Sequence, residues 1–259
     1  MSDITCRRPI TWRSCAKTDV GTVREANEDS VISMPNRCLW AVADGMGGHA
    51  VGDVASSKVV AALEFMDDQD RISTFVNTVE DRLISVNEQL IEYADIMLED
   101  ATIGSTVVAL LIKDRVGVCL WVGDSRLYRY RNYELAQLSR DHSQVEEMLQ
   151  MGLLTPEEAE NHPQGNVITR AIGVESPLYV DINAFSTQIG DTFLLCSDGL
   201  YNAVPEAEIV SSLAIRDVEE CAQDLINKAL ESGAKDNVSV IVVRGEPGKF
   251  ESPGSNDSE

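Results

Sequence analysis

The sequence predicts an α+β fold whose strands pair antiparallel. Between residues 71 and 98, Ile72, Phe75, Val76, Val79, Leu83, Val86, Leu90, Ala94 and Met97 recur at steps of three and four, which marks a long amphipathic helix whose stripe is core packing. Between 105 and 138 the stretches Ser105–Ile112, Val116–Val122, Leu127–Arg131 and Leu135–Leu138 are short and β-rich. Asp114-Arg115 and Asn132-Tyr133 are placed as hairpin turns, so this is a meander rather than a parallel βαβ sheet. Apolar runs also end abruptly in acid and glycine: Leu39 to Ala43 leads into Asp44-Gly45, and Thr192–Cys196 into Ser197-Asp198-Gly199. Each reads as a buried strand that delivers a carboxylate to its end, next to a loop.

In chain order, residues 1–10 read as loosely held. A first strand is expected over Trp12 to Val20, closed by Gly21, followed by the polar connection Arg24-Glu25-Ala26-Asn27-Glu28-Asp29. Val31 to Ser33 is a short strand and Pro35-Asn36 its turn into the run at Leu39. A helix follows from about Asp53, with Val54, Val59, Ala62, Leu63 and Met66 on one face. After the long helix and the meander, Val145–Met151 reads as a short helix. Thr155-Pro156-Glu157-Glu158 opens another, with Thr155 as N-cap, Pro156 at the first helical position and Glu158 completing a capping box. The polar stretch to Asn166 reads as a surface insertion of the kind that carries substrate contacts. Strands resume at Tyr179–Phe185 and Thr192–Cys196, helices at Pro205–Leu213 and Val218–Ser232, and a last strand at Val238–Val243 after Asp236-Asn237. One domain over 11–245 is expected, with a disordered acidic tail over 246–259.

Composition narrows the function. The 259 residues carry 43 Asp and Glu against 21 Lys and Arg, a net charge of −22. That balance speaks against nucleic acid and anionic membranes as partners. Bound cations would neutralise part of it, because clustered carboxylates repel one another unless a positive charge sits among them. The 6 cysteines are scattered, with no C-x-x-C, and read as inert thiols in a reducing compartment. No apolar run approaches a membrane span, and the first residues lack the apolar stretch of a secretory leader, so a soluble cytoplasmic protein is expected.

Asp44, Asp198 and Asp236 each adjoin the end of an apolar strand, and Asp124 follows one in Gly123-Asp124-Ser125-Arg126. If those ends converge, the carboxylates, the Gly45 carbonyl and waters make an all-oxygen site suited to Mg²⁺ or Mn²⁺. Zinc suits it less, since the 3 histidines are not at metal-helix spacing. Two such ions about 3.5–4 Å apart activate a water and clamp an in-line phosphoryl displacement. Arg24 has the fork that grips phosphate, although an arginine among acids is more often a plain salt bridge.

At this point the chain resembles the metal-dependent protein phosphatases of type 2C, the PPM family, in its bacterial stand-alone form. The resemblance runs from about Trp12 to Arg244. It rests on Arg24-x-x-Asn27-Glu28-Asp29, Asp44-Gly45-Met46-Gly47-Gly48-His49, Gly104-Ser105-Thr106, Gly123-Asp124-Ser125-Arg126, Asp141-His142-Ser143, Thr169-Arg170-Ala171-Ile172-Gly173, Ser197-Asp198-Gly199 and Asp236-Asn237, in family order. It implies a four-layer α/β/β/α sandwich, two antiparallel sheets flanked by helices. It implies a phosphoserine/phosphothreonine protein phosphatase in which a water bridging two Mn²⁺ or Mg²⁺ ions attacks phosphorus in line, opposing a bacterial Ser/Thr kinase; for the oligomeric state a monomer is the default expectation.

The resemblance also assigns roles. Asp44 bridges the metals, the Gly45 carbonyl binds one of them, and Asp198 and Asp236 bind the other. Glu28 acts through water, Asp29 supports the site, and Arg24 holds the substrate phosphate. Asp124 joins Asp198 at a third, weaker metal. The insertion at about 143–165 matches the family's flap. Where eukaryotic members have a histidine after Asp-Gly, this chain has Met46, which donates no proton. His49 is the candidate substitute, beside its reading as a structural histidine and beside a metal-bound water as the acid. His142 and His162 read as loop or flap packing.

Overall fold

In a computed structural model the described residues are 8–47, 51–97, 102–159, 162–165 and 167–248. The chain order is β1 (Ile10–Asp19), β2 (Asp29–Met34), β3 (Leu39–Gly47), α1 (Gly52–Glu64), α2 (Ile72–Met97), β4 (Ile103–Ser105), β5 (Val107–Lys113), β6 (Val116–Val122), β7 (Arg126–Arg131) and β8 (Glu134–Gln137). It continues with α3 (Gln144–Gln150), α4 (Pro156–Ala159), β9 (Asp181–Ser186), β10 (Thr192–Cys196), α5 (Asp198–Tyr201), α6 (Glu206–Leu213), α7 (Val218–Glu231) and β11 (Val238–Pro247). One sheet has the order β1-β11-β10-β7-β8 and the other β2-β3-β5-β6-β9, with β4 pairing β3 off that path. The ladders between these strands are antiparallel, as the meander predicts.

The sheets pack face to face and helices cover their outer faces. Alternation along each strand explains how one run serves two interfaces. In β3, Trp40 and Val42 point between the sheets, where they meet Trp12, Leu110, Trp121, Phe193, Leu195 and Ile241. Leu39, Ala41 and Ala43 point the other way, onto Val59 and Leu63 of α1 and Val79, Leu83 and Leu90 of α2. In the second sheet, Leu194, Val240 and Val242 pack under Ile209 of α6 and Leu225 of α7. A strand buried on both faces shows no polar alternation, which is why these runs read as continuously apolar. The fold is the expected α/β/β/α sandwich.

Several boundaries differ from the expectation. The stretch expected as one strand over Ser105–Ile112 is broken at Thr106 into β4 and β5. The Thr106 amide donates to the Asp44 carbonyl at 2.8 Å, and its hydroxyl accepts from the Asp44 amide at 3.1 Å. β3 runs past its expected end at Ala43 to Gly47, because Gly45, Met46 and Gly47 pair with Ser105, Gly104 and Ile103. Asp198-Gly199, read as a copy of the Asp44-Gly45 turn, is instead the first turn of α5. β9 starts at Asp181 rather than Tyr179. β11 continues to Pro247 because β1 pairs it without a break from Asp19↔Val238 to Ile10↔Pro247. Most of the expected tail, 249–259, lies outside the described residues. The hairpin turns stand as expected, with Asp114, Asn132 and Tyr133 at positive φ. So does the capping box: the Thr155 amide donates to Glu158 Oε2 at 2.9 Å, and the Glu158 amide to Thr155 Oγ1 at 3.3 Å.

Candidate active site

The two sheets bring their acids together at one end of the sandwich. Asp44 lies on β3, and Asp29 is its direct partner across the β2–β3 ladder. Asp198 begins α5 directly after β10, and Asp236 stands just before β11. Asp124 sits in the turn between β6 and β7. Small polar side chains hold the backbone that carries these acids. Asn237 is buried; its amide group donates to the Val20 carbonyl at 2.9 Å and the Ala26 carbonyl at 3.0 Å, and its Oδ1 accepts from the Glu28 amide at 2.8 Å. Ser105 donates to the Asp44 carbonyl at 3.1 Å, and Thr106 Oγ1 lies 2.7 Å from Ser125 Oγ. Ser197 donates to Asp29 Oδ2 at 2.8 Å. Tyr201 donates to the Asp124 carbonyl at 3.1 Å while Arg126, bound to Asp141 through Nε and Nη2, lies 3.5 Å over its ring.

Gly45 is tied to the connection before β2: its amide donates to the Glu28 carbonyl at 3.1 Å. A Cβ at Gly45 would fall 2.1 Å from the Gly52 carbonyl oxygen, so only glycine fits between the strand and α1. Glu28 Oε1 sits close over Gly52, where a Cβ would come within 2.7 Å.

Burial and mutual repulsion push these carboxyls up. Asp198 is raised to about 7, by desolvation first and then by Asp124, Asp236 and Asp29. Asp29 is raised to about 6, chiefly by desolvation, against the hydrogen bond from Ser197. Asp124 reaches about 6 through desolvation and then Asp141. Asp44 stands well above the usual carboxylate range, through desolvation and then Asp29, Asp198, Asp124 and Asp236. Arg24 stands at the rim as a counter-charge, its Nη2 donating to Asp236 Oδ2 at 2.7 Å.

This donor set fits hard divalent cations. Asp29 Oδ1 and Asp198 Oδ1 are buried without a partner, an expensive state for carboxylate oxygens unless a cation meets them. Every donor is oxygen, which suits Mg²⁺ or Mn²⁺ over zinc. Among the described residues no three Asp, Glu, His or Cys side chains are drawn into ligand geometry, and the acids form a like-charged set that a cation would neutralise.

The decisive comparison is with sequence families. The family model described as protein phosphatase 2C matches residues 23–233. The chain belongs to the protein phosphatase 2C family. This phosphatase is 39% identical over 238 residues to the serine/threonine phosphatase stp of Listeria monocytogenes, covering 88% of this chain and 93% of that one. Its fold superposes with TM-score 0.85 on PppA, a key regulatory component of T6SS in Pseudomonas aeruginosa, at 38% identity over 92% of this chain and 100% of that one. It superposes with TM-score 0.82 on the catalytic domain of the serine/threonine protein phosphatase PstP in complex with two manganese ions, at 36% identity over 92% of this chain and 99% of that one. The chain is therefore a protein serine/threonine phosphatase of a metal-dependent family.

In this phosphatase Asp29, Asp44, Asp124, Asp198 and Asp236 act on one another electrostatically, with Gly45 and Glu28 adjoining them and Arg24 at the rim. His49 lies outside the described residues. Arg24 does not stand free for phosphate but pairs with Asp236. Asn237, Thr106, Ser125, Ser197 and Tyr201 received no role from the sequence. Gly104-Ser105-Thr106 and Asp236-Asn237 were visible as motifs, but their partners are backbone groups brought near only by folding. Helices α3 and α4 leave a cleft of about 660 Å³ lined by Arg126, Asp141, Leu149, His162 and Tyr201. It opens beside Asn202, whose amide donates to Asp198 Oδ2 at 3.1 Å. Among the described residues no helix is long and apolar enough to cross a membrane.

Proposed function

We propose that the acids at this end of the sandwich would hold two Mn²⁺ or Mg²⁺ ions: Asp44 would serve both, the Gly45 carbonyl one of them, Asp198 and Asp236 the other, and Glu28 and Asp29 would support them. Asp124 and Asp198 would hold a third, weaker ion. The observation that carries the reading is the mutual elevation of Asp44, Asp198, Asp124 and Asp29, together with the orphaned oxygens of Asp29 and Asp198. When bound, the cations supply charge neutralisation and an acidified water for attack on phosphorus.

The chain's own residues do the rest. Arg24 would exchange Asp236 for the substrate, its fork taking two oxygens of the phosphoseryl or phosphothreonyl group, and Asp236 would be free to help hold a cation. That exchange holds the phosphorus in line with the acidic cluster. Asn237 fixes the backbone at Glu28, and Ser105 and Thr106 fix it at Asp44, so the site's main chain is pre-positioned before charge develops. Met46 cannot protonate the leaving alkoxide, so that proton comes from water or from His49. The substrates are Ser/Thr-phosphorylated proteins, and the enzyme works as a cytoplasmic monomer that opposes a Ser/Thr kinase.

The test is phosphate release from a phosphothreonine peptide by chelator-treated protein, with Mn²⁺, Mg²⁺ or Zn²⁺ added back. Release restored by Mn²⁺ or Mg²⁺ supports the reading. No release with any metal from folded protein overturns it, and a partner-binding role would take its place.

A further inference from the structure

His142 is the one histidine of the described fold whose ring and backbone are all engaged at a structural joint. Its backbone amide donates to the Gly123 carbonyl at 2.9 Å, and its Nδ1 accepts from the Gly123 amide at 3.0 Å. Both polar groups of Gly123 are thus held by a single residue. Gly123 has φ +102°, and a Cβ there would strike Thr106 at 2.6 Å, so only glycine fits this turn. The next residue is Asp124.

The far side of His142 faces the flap and β9. An amide N–H only donates, so Nδ1 is the acceptor and the ring proton is on Nε2, which reaches Asp181 Oδ2 at 3.1 Å. Arg170 Nη1 secures that carboxylate, donating to Asp181 Oδ1 at 3.1 Å and to the Tyr179 carbonyl at 3.1 Å. The backbone of His142 is also one root of the flap: its carbonyl accepts from the Thr169 amide at 2.8 Å, and the next residues bridge Ser143 to Ile168 and the Gln144 amide to the Val167 carbonyl at 3.0 Å. The ring is buried and stacks on Trp121 at 6.1 Å between centroids.

We propose that His142 is a positioning residue that couples the flap to the reaction, clamping both flap roots and Asp181 to the Gly123–Asp124 turn so that the flap's placement sets where the Asp124 carboxylate stands. A protein substrate that presses on the flap is thereby sensed at the acidic cluster, whereas a small phosphoester reaches the cluster without touching the flap. This rests on the reading of Asp124 as part of the site, and goes beyond it by naming what aims Asp124.

Two substitutions separate the halves of the ring. His142→Asn puts Oδ1 where Nδ1 was and keeps the acceptor for Gly123. His142→Gln reaches Asp181 but leaves the Gly123 amide without its acceptor. Amide hydrogen exchange on chelated protein reads the joint without any turnover. In His142→Gln, exchange at Gly123 and across 144–150 is expected to rise about tenfold or more, and in His142→Asn to stay near wild type at Gly123. With Mn²⁺ restored, His142→Gln should lose about tenfold in kcat/KM on a phosphothreonine peptide, in kcat more than in KM, and less on para-nitrophenyl phosphate, with His142→Asn recovering most of it.

Unchanged exchange in folded His142→Gln, or equal damage in both variants, would overturn the proposal. Faster exchange with wild-type turnover would overturn its catalytic part. Full turnover in Asp124→Asn would instead overturn the reading of Asp124. Should His142→Gln not fold, Asp181→Asn at the half-exposed end of the joint decides: raised exchange at Gly123 supports the clamp, and unaltered exchange overturns it.

Discussion

Asp29 and Asp44 face each other directly across the β2–β3 ladder, two carboxylates at one register position on neighbouring strands. Like charges so placed destabilise a sheet. Asp29 is nonetheless buried and its Oδ1 has no partner. The pair is tolerated only if it keeps a proton or shares a cation.

Protonation and metal compete, so pH should reveal both. Asp29 and Asp124 are raised to about 6, Asp198 to about 7 and Asp44 higher still, against about 3.9 in the unfolded chain. Between those limits the folded protein binds more protons than the unfolded one, so stability falls as pH rises. The carboxyls held low, Asp181, Asp217, Asp224 and Glu158, titrate below this window, and His142, held low by burial, opposes the trend only as a single group against four. Chelated protein should melt at a lower temperature at pH 8 than at pH 5, and added Mn²⁺ should stabilise it more at pH 8. A melting temperature that rises over this range, with a metal effect independent of pH, would contradict the cluster.

Asp44→Asn and Asp198→Asn each remove an anionic ligand. Turnover should fall by about two to three orders of magnitude or more, since several kcal/mol of charge stabilisation are lost. The metal-free fold should gain stability at pH 8, because one repelling charge is gone. Phosphate release and thermal melts on the same samples check both halves.

Asp124→Asn should weaken catalysis but leave two tightly bound ions. A calorimetric titration that finds no tight binding would place Asp124 in the primary site rather than the third one.

Arg24→Ala should raise KM for a phosphopeptide by roughly tenfold or more, the worth of a charged hydrogen bond to phosphate. Metal affinity should not fall, because Asp236 is released from its 2.7 Å contact with the guanidinium. Steady-state kinetics with a parallel metal titration separate the two effects. Unchanged KM would leave Arg24 as a plain salt bridge.

Asn237→Ala strands the Glu28 amide and the Val20 and Ala26 carbonyls, the three groups that the buried side chain now serves. The cost should be about 2–4 kcal/mol, visible as a melting temperature several degrees lower in urea-free buffer. A neutral result would mean water replaces the side chain.

Much of this was legible in the amino-acid order. Strands buried on both faces need continuous apolar runs, a long surface helix needs its stripe, and tight turns need their residues, so Leu39–Ala43, the stripe of α2 and the turn at Asn132-Tyr133 announced themselves. The acids at strand ends stood out for the same reason, since a charge after such a run is costly without a purpose. Only the tertiary structure could decide that β3 outruns its apolar core to pair with β4, that Asp198 opens a helix, and that Arg24 rests on Asp236. It also decided what holds the site. Asn237 reaches the connection before β2, Thr106 reaches Asp44, and His142 clamps Gly123 to the flap. These bonds join groups distant in sequence, and many end on backbone atoms, which are the same in every residue and leave no mark in the sequence.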